Sequence, residues 1–371
     1  MKKLVQQIER ARMQVHTDSY PMSIGELINL YDDGEIDIHP EFQRVYRWSD
    51  EQKSRLIESI FLGIPLPSIF VAQRQDGVWD VVDGLQRIST ILSFVGKLKN
   101  ENDELLDALE LRGTKYIPAM EGMLWDCDNE ENQVSADLKR LFKREKLDIK
   151  IIKRESEDDT KFELFQRLNT GGSKLSDQEV RNCMLLMINK NAYKWVDDCS
   201  KNTDFIACCP ISEKQKEESY LHELVVRFVI LRHSSEDIKS KHTDIAPYIN
   251  DEVIRLMSLD NLIDYEKEER IFNRTFNILN SSLNDSSFKK YNHSKGRHEG
   301  ALSLPIFEAI IPAVSNDIEA GIADESLYTE KLVENVKKLT ADVDFLSVLD
   351  NRTRPIDRMS QMGQIGRRIF K

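Results

Sequence analysis

The chain predicts an α+β domain followed by an all-helical one. β-forming runs, Ile69-Phe70-Val71-Ala72, Val78-Trp79-Asp80-Val81-Val82 and the period-two segment Leu147-Asp148-Ile149-Lys150-Ile151-Ile152, are confined to the first half. After about Asn189 strand signals vanish. Apolar residues then recur at helical spacing in His222 to Arg232, Ile271 to Leu283, Leu302 to Ala313 and Tyr328 to Leu339. The boundary falls in the polar stretch between Asn189 and Lys214, which holds Pro210. That gives a helical extension over 1–19, a mixed domain over 20–190 and a helical domain over 191–371. At 371 residues the chain is long enough for two cores.

The elements follow in order. Ser23 to Leu30 reads as a short helix or turn ended by Gly34, and Glu35 to Ile38 alternates like a strand. Ser49 caps the next helix with Gln52 at the reciprocal position, and Leu56, Ile57, Ile60 and Phe61 form its apolar face. Gly63, Pro65 and Pro67 stop it. Asp76-Gly77 is a hairpin signal joining the two strands on either side. Lys97 to Lys146 is charged and poorly periodic and reads as an insertion or surface excursion with a few possible short helices. Asp159 to Leu168 is helical and broken by Asn169-Thr170-Gly171-Gly172. Ser176 caps a further helix, with Glu179 at the box position and Val180, Met184, Leu185 and Ile188 facing inward.

Composition narrows the function classes. Net charge is −12, which argues against a wholly basic protein that coats nucleic acid but leaves room for a local basic groove. No stretch approaches the roughly 18–20 apolar residues that cross a bilayer. The N-terminus lacks the continuous apolar core of a signal peptide, so the expected location is the cytoplasm. The five cysteines, Cys127, Cys183, Cys199, Cys208 and Cys209, show no CxxC spacing and read as reduced, partly buried thiols rather than a zinc site.

Three motifs carry chemistry. The first is Gln43-Arg44 with Phe42 and Trp48, on a loop leading into a capped helix. It can reach a polyanion, or it is a surface loop anchored by its aromatics. The second is Asp83-Gly84-Leu85-Gln86-Arg87, where a strand turns on glycine into a helix. Such a turn leaves unpaired N–H groups at the helix start, which suit an anion, usually a phosphate. Gly84 permits close backbone approach, and Asp83 is a candidate ligand for Mg²⁺. Gln86 is placed to orient a water, and Arg87 to neutralise charge on a phosphoryl group. The plainer reading is an Asp-Gly turn with Arg87 as a salt-bridge partner. The third is Asn169-Thr170-Gly171-Gly172, followed by Glu179 and Arg181. It suits a nest of backbone donors, or a helix end followed by an exposed charged face.

In this order and spacing the motifs resemble the N-terminal domain family of GmrSD-type modification-dependent restriction endonucleases, within the ParB and sulfiredoxin-like superfamily. The resemblance covers about Tyr20 to Asn189. It implies a ParB/sulfiredoxin-like domain that binds, and often hydrolyses, a nucleoside triphosphate to control DNA cleavage in phage defence. By motif, Gln43, Arg44, Asp83, Gly84, Gln86 and Arg87 would line the triphosphate pocket. Asn169, Gly171 and Gly172 would close it, with Trp48, Glu179 and Arg181 in support. Catalysis would fall to Asp83, Gln86 and Arg87, with Mg²⁺ on Asp83. The first glutamine of the family's DGQQR turn is Leu85 here. That change either removes a group needed for hydrolysis or points into the core, where it is silent.

Full-length family members carry a C-terminal HNH-type nuclease. The second half here offers only Asn292-His293 and His298, which read as a polar loop before the Leu302 helix. Arg352, Arg354, Arg358, Arg367, Arg368 and Lys371 form a basic C-terminal tail, either solvated or a site for nucleic acid or an acidic partner. The leading expectation is a nucleotide-dependent control protein acting on DNA or on a separately encoded effector such as a nuclease. The alternatives are a DNA-nicking or cleaving enzyme with an unrecognised metal site, and a non-catalytic DNA- or protein-binding adaptor.

Overall fold

The computed structural model describes residues 17–38, 48–100, 102–153, 176–234, 239, 241–258, 263–322, 324–350 and 353–370. The chain divides into two compact units, Met1–Lys174 and Leu175–Lys371.

The first unit is built on a five-stranded mixed sheet of order β1-β5-β3-β4-β2. Its strands are β1 (Thr17–Ser23), β2 (Ile36–Asp37), β3 (Ile69–Gln73), β4 (Trp79–Asp83) and β5 (Lys146–Ile152). The Asp76-Gly77 hairpin forms as expected: β3 and β4 pair antiparallel, with Gly77 at φ +93°. β5 lies parallel to β3 with Ile69 opposite Ile149, and β2 lies parallel to β4 with Asp37 opposite Asp80. β1 was not foreseen. It pairs antiparallel with β5 at the sheet edge, where Pro21 is tolerated because one side of an edge strand needs no donor. Ser19 is therefore strand rather than helical extension.

Among the described residues, four α-helices accompany the sheet: α1 (Ile24–Asp32), α2 (Asp50–Phe61), α3 (Leu85–Phe94) and α4 (Ala136–Arg144). Ser49 and Gln52 close the expected capping box of α2, and Gly63, at φ +64°, follows its end. The segment from Lys97 to Lys146 is not the surface excursion its composition suggests. Isolated apolar residues pin it down: Leu98, Leu109, Leu111, Met120 and Trp125 are buried. Trp125 stacks edge-on against Phe94 and Phe142, and Phe61 completes the cluster. Each such ring pair adds roughly 0.5–1.5 kcal/mol beyond its buried area. The Glu58 carboxylate fixes the same segment by accepting from Thr114 Oγ1 and from the backbone N–H groups of Tyr116 and Ile117.

The second unit is helical. It comprises α5 (Asp177–Ile188), α6 (Lys190–Ser200), α7 (Thr203–Cys208), α8 (Glu213–Glu217), α9 (Tyr220–His233), α10 (Ile245–Met257), α11 (Tyr265–Leu283), α12 (Leu304–Ala320), α13 (Glu325–Leu339), α14 (Val343–Asp350) and α15 (Pro355–Ile369). α5, read from sequence as part of the mixed domain, clusters with this unit. α12 and α15 pack most intimately. A Cβ added at Gly366 would sit 1.8 Å from Ala309 O, so only glycine admits this approach. The expectation of an all-helical second half needs one correction. Lys290–Asn292 and Arg297–Glu299 pair as an antiparallel hairpin, β6 and β7, ahead of α12. Strands of three polar residues carry no apolar alternation to announce them.

Of the basic C-terminal tail, Arg352 and Lys371 lie outside the described residues; the rest runs into α15, with the Arg354 and Arg368 side chains still exposed. Arg358 donates to the fully buried Glu308, Arg354 to Asp357, and Arg368 to Asp342. None of the five cysteines is in a disulfide and four are buried, and burial pushes the Cys208 thiol up to about 11. Among the described residues, no helix is long and apolar enough to cross a membrane. Nor, among them, do three or more His, Cys, Asp or Glu side chains gather to hold a metal ion.

Candidate functional site

The Asp83–Arg87 corner forms where β4 ends. Gly84 is the N-cap of α3 in the left-handed region, at φ +99° and ψ +11°. A Cβ there would meet Ile69 Cγ1 at 2.8 Å. Glycine is thus required twice, for the dihedral and for contact with the neighbouring strand. With glycine as the cap, no side chain accepts from the first turn of α3. Ile88 N–H is the first to bond within the helix, to Gly84 O at 3.0 Å. The amides of Leu85, Gln86 and Arg87 have no acceptor among the described residues. This is the positive end of a helix with its donors open.

Arg87 is committed rather than free. Its Nη2 donates to Asp83 Oδ2 at 2.9 Å, and its Nη1 donates to Pro67 O and to Ser68 O. The side chain is 11% exposed, and Asp83 beside it 36%. Arg87 therefore ties the end of β4 to the start of β3. The chain of contacts runs on: Ser68 Oγ donates to Asp148 Oδ2 at 2.6 Å, and Asp148 also accepts from Ser19 Oγ on β1. The Ser68 bond first, then Lys150, hold the Asp148 carboxyl below its usual range despite slight desolvation. Pro67, Ser68 and Asp148 were not foreseen, because two of them act through backbone carbonyls and leave no trace in residue type. Ser89, one turn along α3, also escaped notice. Its Oγ is buried without a partner among the described residues.

Leu85 is 7% exposed and packs inward. Its apolar side chain is absorbed by the core. Gln86 is half-buried at the open amides. Trp48 is half-buried, immediately before the Ser49 cap of α2. Gln43, Arg44, Asn169, Gly171 and Gly172 lie outside the described residues.

Glu179 and Arg181 do not form an exposed face. Glu179 closes the α5 capping box, accepting from Ser176 N–H at 2.5 Å, and burial raises its carboxyl against that bond. Arg181 is 1% exposed. Its Nε donates to Gln178 Oε1 at 2.8 Å, its Nη1 faces Asn250 Oδ1 at 3.4 Å, and its Nη2 lies 3.4 Å from Glu223. Burial lowers the guanidinium to about 10, opposed by Glu223, so it stays charged at neutral pH. Glu223 also pairs with Arg227, and Arg227 with Glu308, which extends the network to Arg358. Arg181 is thus the hub of a buried polar network in the second unit.

Within the first unit a second ionic knot spans the sheet. Arg74 bridges Asp37 on β2 and Asp80 on β4. Because β2 and β4 run parallel, both carry the chain toward the sheet end where Asp83 lies.

These features define a class: a mixed-sheet α/β domain organised around a strand–glycine–helix corner, joined to a helical region. Residues 24–186 match the family described as GmrSD restriction endonuclease, N-terminal domain. No curated protein matches the chain.

Proposed function

We propose that the N-terminal unit binds a nucleoside triphosphate and that the protein serves a restriction-like phage-defence module as its nucleotide-dependent control element. The family named for a restriction endonuclease supports the defence setting. The observation that carries the nucleotide reading is the α3 N-terminus, whose first-turn amides meet no described acceptor beside an ordered guanidinium. A ParB/sulfiredoxin-like topology belongs to the same proposal, as do Gln43, Arg44, Asn169, Gly171 and Gly172 as further phosphate contacts.

The charge balance at the corner sets a condition. Asp83 cancels Arg87 at contact distance, so an incoming phosphate competes with a carboxylate for the guanidinium. Mg²⁺ fits here only as an ion held mostly by phosphate oxygens and water, with Asp83 as the one protein carboxylate, which is an ordinary arrangement for it. Bound there, the ion would supply charge neutralisation. Asp83 would turn from Arg87 toward the ion, and Arg87 would keep its bonds to Pro67 and Ser68 while offering Nη2 to phosphate. Gln86 would orient water at the same amides. With Leu85 inward, its difference from the family's turn is silent and does not by itself count against hydrolysis.

The reading then links occupancy of this site to how the helical region engages DNA or a separately encoded effector. Calorimetric titration of the whole protein with a panel of nucleoside triphosphates, with and without Mg²⁺, tests the first step. The parent should bind at least one and Arg87→Ala should bind it more weakly. Absence of binding by the parent at millimolar nucleotide ends the proposal. Phosphate release separates an NTPase from a binding module.

A further inference from the structure

We propose that the β6–β7 hairpin of the second unit forms, with the end of α13 and with α14, a contact site for single-stranded nucleic acid. The hairpin borders an open cleft of about 1110 Å³. The cleft has two kinds of wall. Ala301, Ala341 and Leu346 give an apolar floor, and Tyr291 and His293 give rings. The Tyr291 ring lies 4.9 Å from that of His293 and 5.0 Å from that of His298, its cross-strand partner. Lys337 Nζ sits 5.4 Å above the same ring. His298 Nδ1 faces Lys289 O at 3.2 Å, which fixes that imidazole in place.

The charges point to a polyanion. Neither Lys290 nor Lys337 has a carboxylate within salt-bridge reach among the described residues. Lys295 and Arg297 share the single carboxylate of Glu299, at 3.0 and 3.8 Å. Asn292 Nδ2 donates to that carboxylate at 2.5 Å, so the acid is occupied from two sides. The rim is left with excess positive charge on a protein whose net charge is −12. An apolar, ring-bearing floor under a cationic rim matches a ligand with phosphates along one edge and flat bases along the other. Base-on-aromatic stacking with lysine contacts to the backbone is how sequence-tolerant strand binding works. A duplex keeps its bases stacked and would leave the floor bare. The cleft's own rings and charges support this contact whether or not the first unit binds a nucleotide.

The test is fluorescence anisotropy of the whole protein with a labelled oligothymidine and with a duplex of equal length, across a salt series and without added nucleotide. The single strand should bind more tightly, with affinity that falls as salt rises. Lys290→Glu combined with Lys337→Glu should weaken binding at least tenfold. It should also flatten the log–log salt dependence by roughly 0.7 for each phosphate that is no longer neutralised. Tyr291→Leu should cost roughly tenfold with the salt slope unchanged. Lys214→Glu with Lys216→Glu makes the same charge change on α8, outside the cleft, and should leave most of the affinity. The proposal is overturned if the parent does not bind at low salt, if both double variants weaken binding equally, or if the duplex is preferred. Nucleotide titration of the Lys290→Glu/Lys337→Glu protein should match the parent, so failure here and failure at the corner are read separately.

Discussion

Replacing Gly84 with alanine perturbs the corner through a single atom. At φ +99° an L-residue adopts a backbone that its Cβ disfavours, at about 1–2 kcal/mol. The added Cβ would also stand 2.8 Å from Ile69 Cγ1, on a side chain with no exposed surface, so it cannot swing away. Forcing a methyl into such a contact costs typically about 1–3 kcal/mol. Together the two effects predict a loss of roughly 2–5 kcal/mol in the first unit, against a total that for natural domains is on the order of 5–15 kcal/mol. Three of the four tryptophans, Trp48, Trp79 and Trp125, belong to that unit and only Trp195 to the other. Urea unfolding followed by tryptophan emission therefore reports chiefly on it. A double-mutant cycle separates the two contributions. Ile69→Ala removes the clashing Cγ1, so Gly84→Ala should cost about 1–3 kcal/mol less in that background, while the dihedral cost remains. A Gly84→Ala loss below about 0.5 kcal/mol, or no coupling to Ile69, would refute the left-handed, strand-contacting corner.

Other perturbations test other parts of the molecule. Gly366→Ala should destabilise the second unit by about 3 kcal/mol or more, because the new Cβ meets a backbone carbonyl that cannot rotate aside; thermal unfolding is the readout. Arg181→Ala should cost about 3–5 kcal/mol by leaving Glu223 and Asn250 short of a partner, and should not alter nucleotide affinity in calorimetry if Arg181 is structural. Burial opposes ionisation of Glu268, but His233 and Arg232 outweigh it and hold the carboxyl at about 2. Its folded value is depressed, so its contribution is complete above about pH 4.5 and is lost as pH falls through about 2. Denaturation measured across that window should show roughly 2–4 kcal/mol disappearing, and less in Glu268→Gln.

Local chemistry was legible where it lay in contiguous residue types. The capping boxes at Ser49 with Gln52 and Ser176 with Glu179, the Asp76-Gly77 turn and the β5 alternation each declare themselves within a few residues. What escaped was decided by distant partners. β1 reads as a polar run with a proline and becomes a strand only because β5 offers a free edge. The Lys97 to Lys146 segment has anchors but no period, and only the Phe61–Phe94–Phe142 cluster gives Trp125 somewhere to go. A lone arginine on a helix reads as exposed. Arg181 is buried because Glu223 and Asn250, far along the chain, supply its partners. At the corner, the residue types that suggest phosphate chemistry were all visible, but two of the groups holding Arg87 are backbone carbonyls.

That last point decides how the corner is best interrogated. Arg87 and Asp83 satisfy each other, and the same geometry serves a structural knot or a ligand site awaiting a competitor for the guanidinium. Asp83→Asn separates the two. The substitution keeps the shape and an acceptor oxygen but removes the negative charge, so Arg87 keeps its place through Pro67 and Ser68. For a pure knot, the variant loses up to about 1–2 kcal/mol of a partly exposed charged hydrogen bond, and ligand affinity does not change. For a phosphate site, the local charge moves from balanced to positive. Metal-free triphosphate should then bind several-fold tighter than to the parent, while the enhancement by Mg²⁺ shrinks because its protein carboxylate is gone. Calorimetry with and without the metal reads both changes in one protein. Unchanged affinity in both conditions, with the stability loss present, would assign Asp83 and Arg87 to holding the sheet end and nothing more.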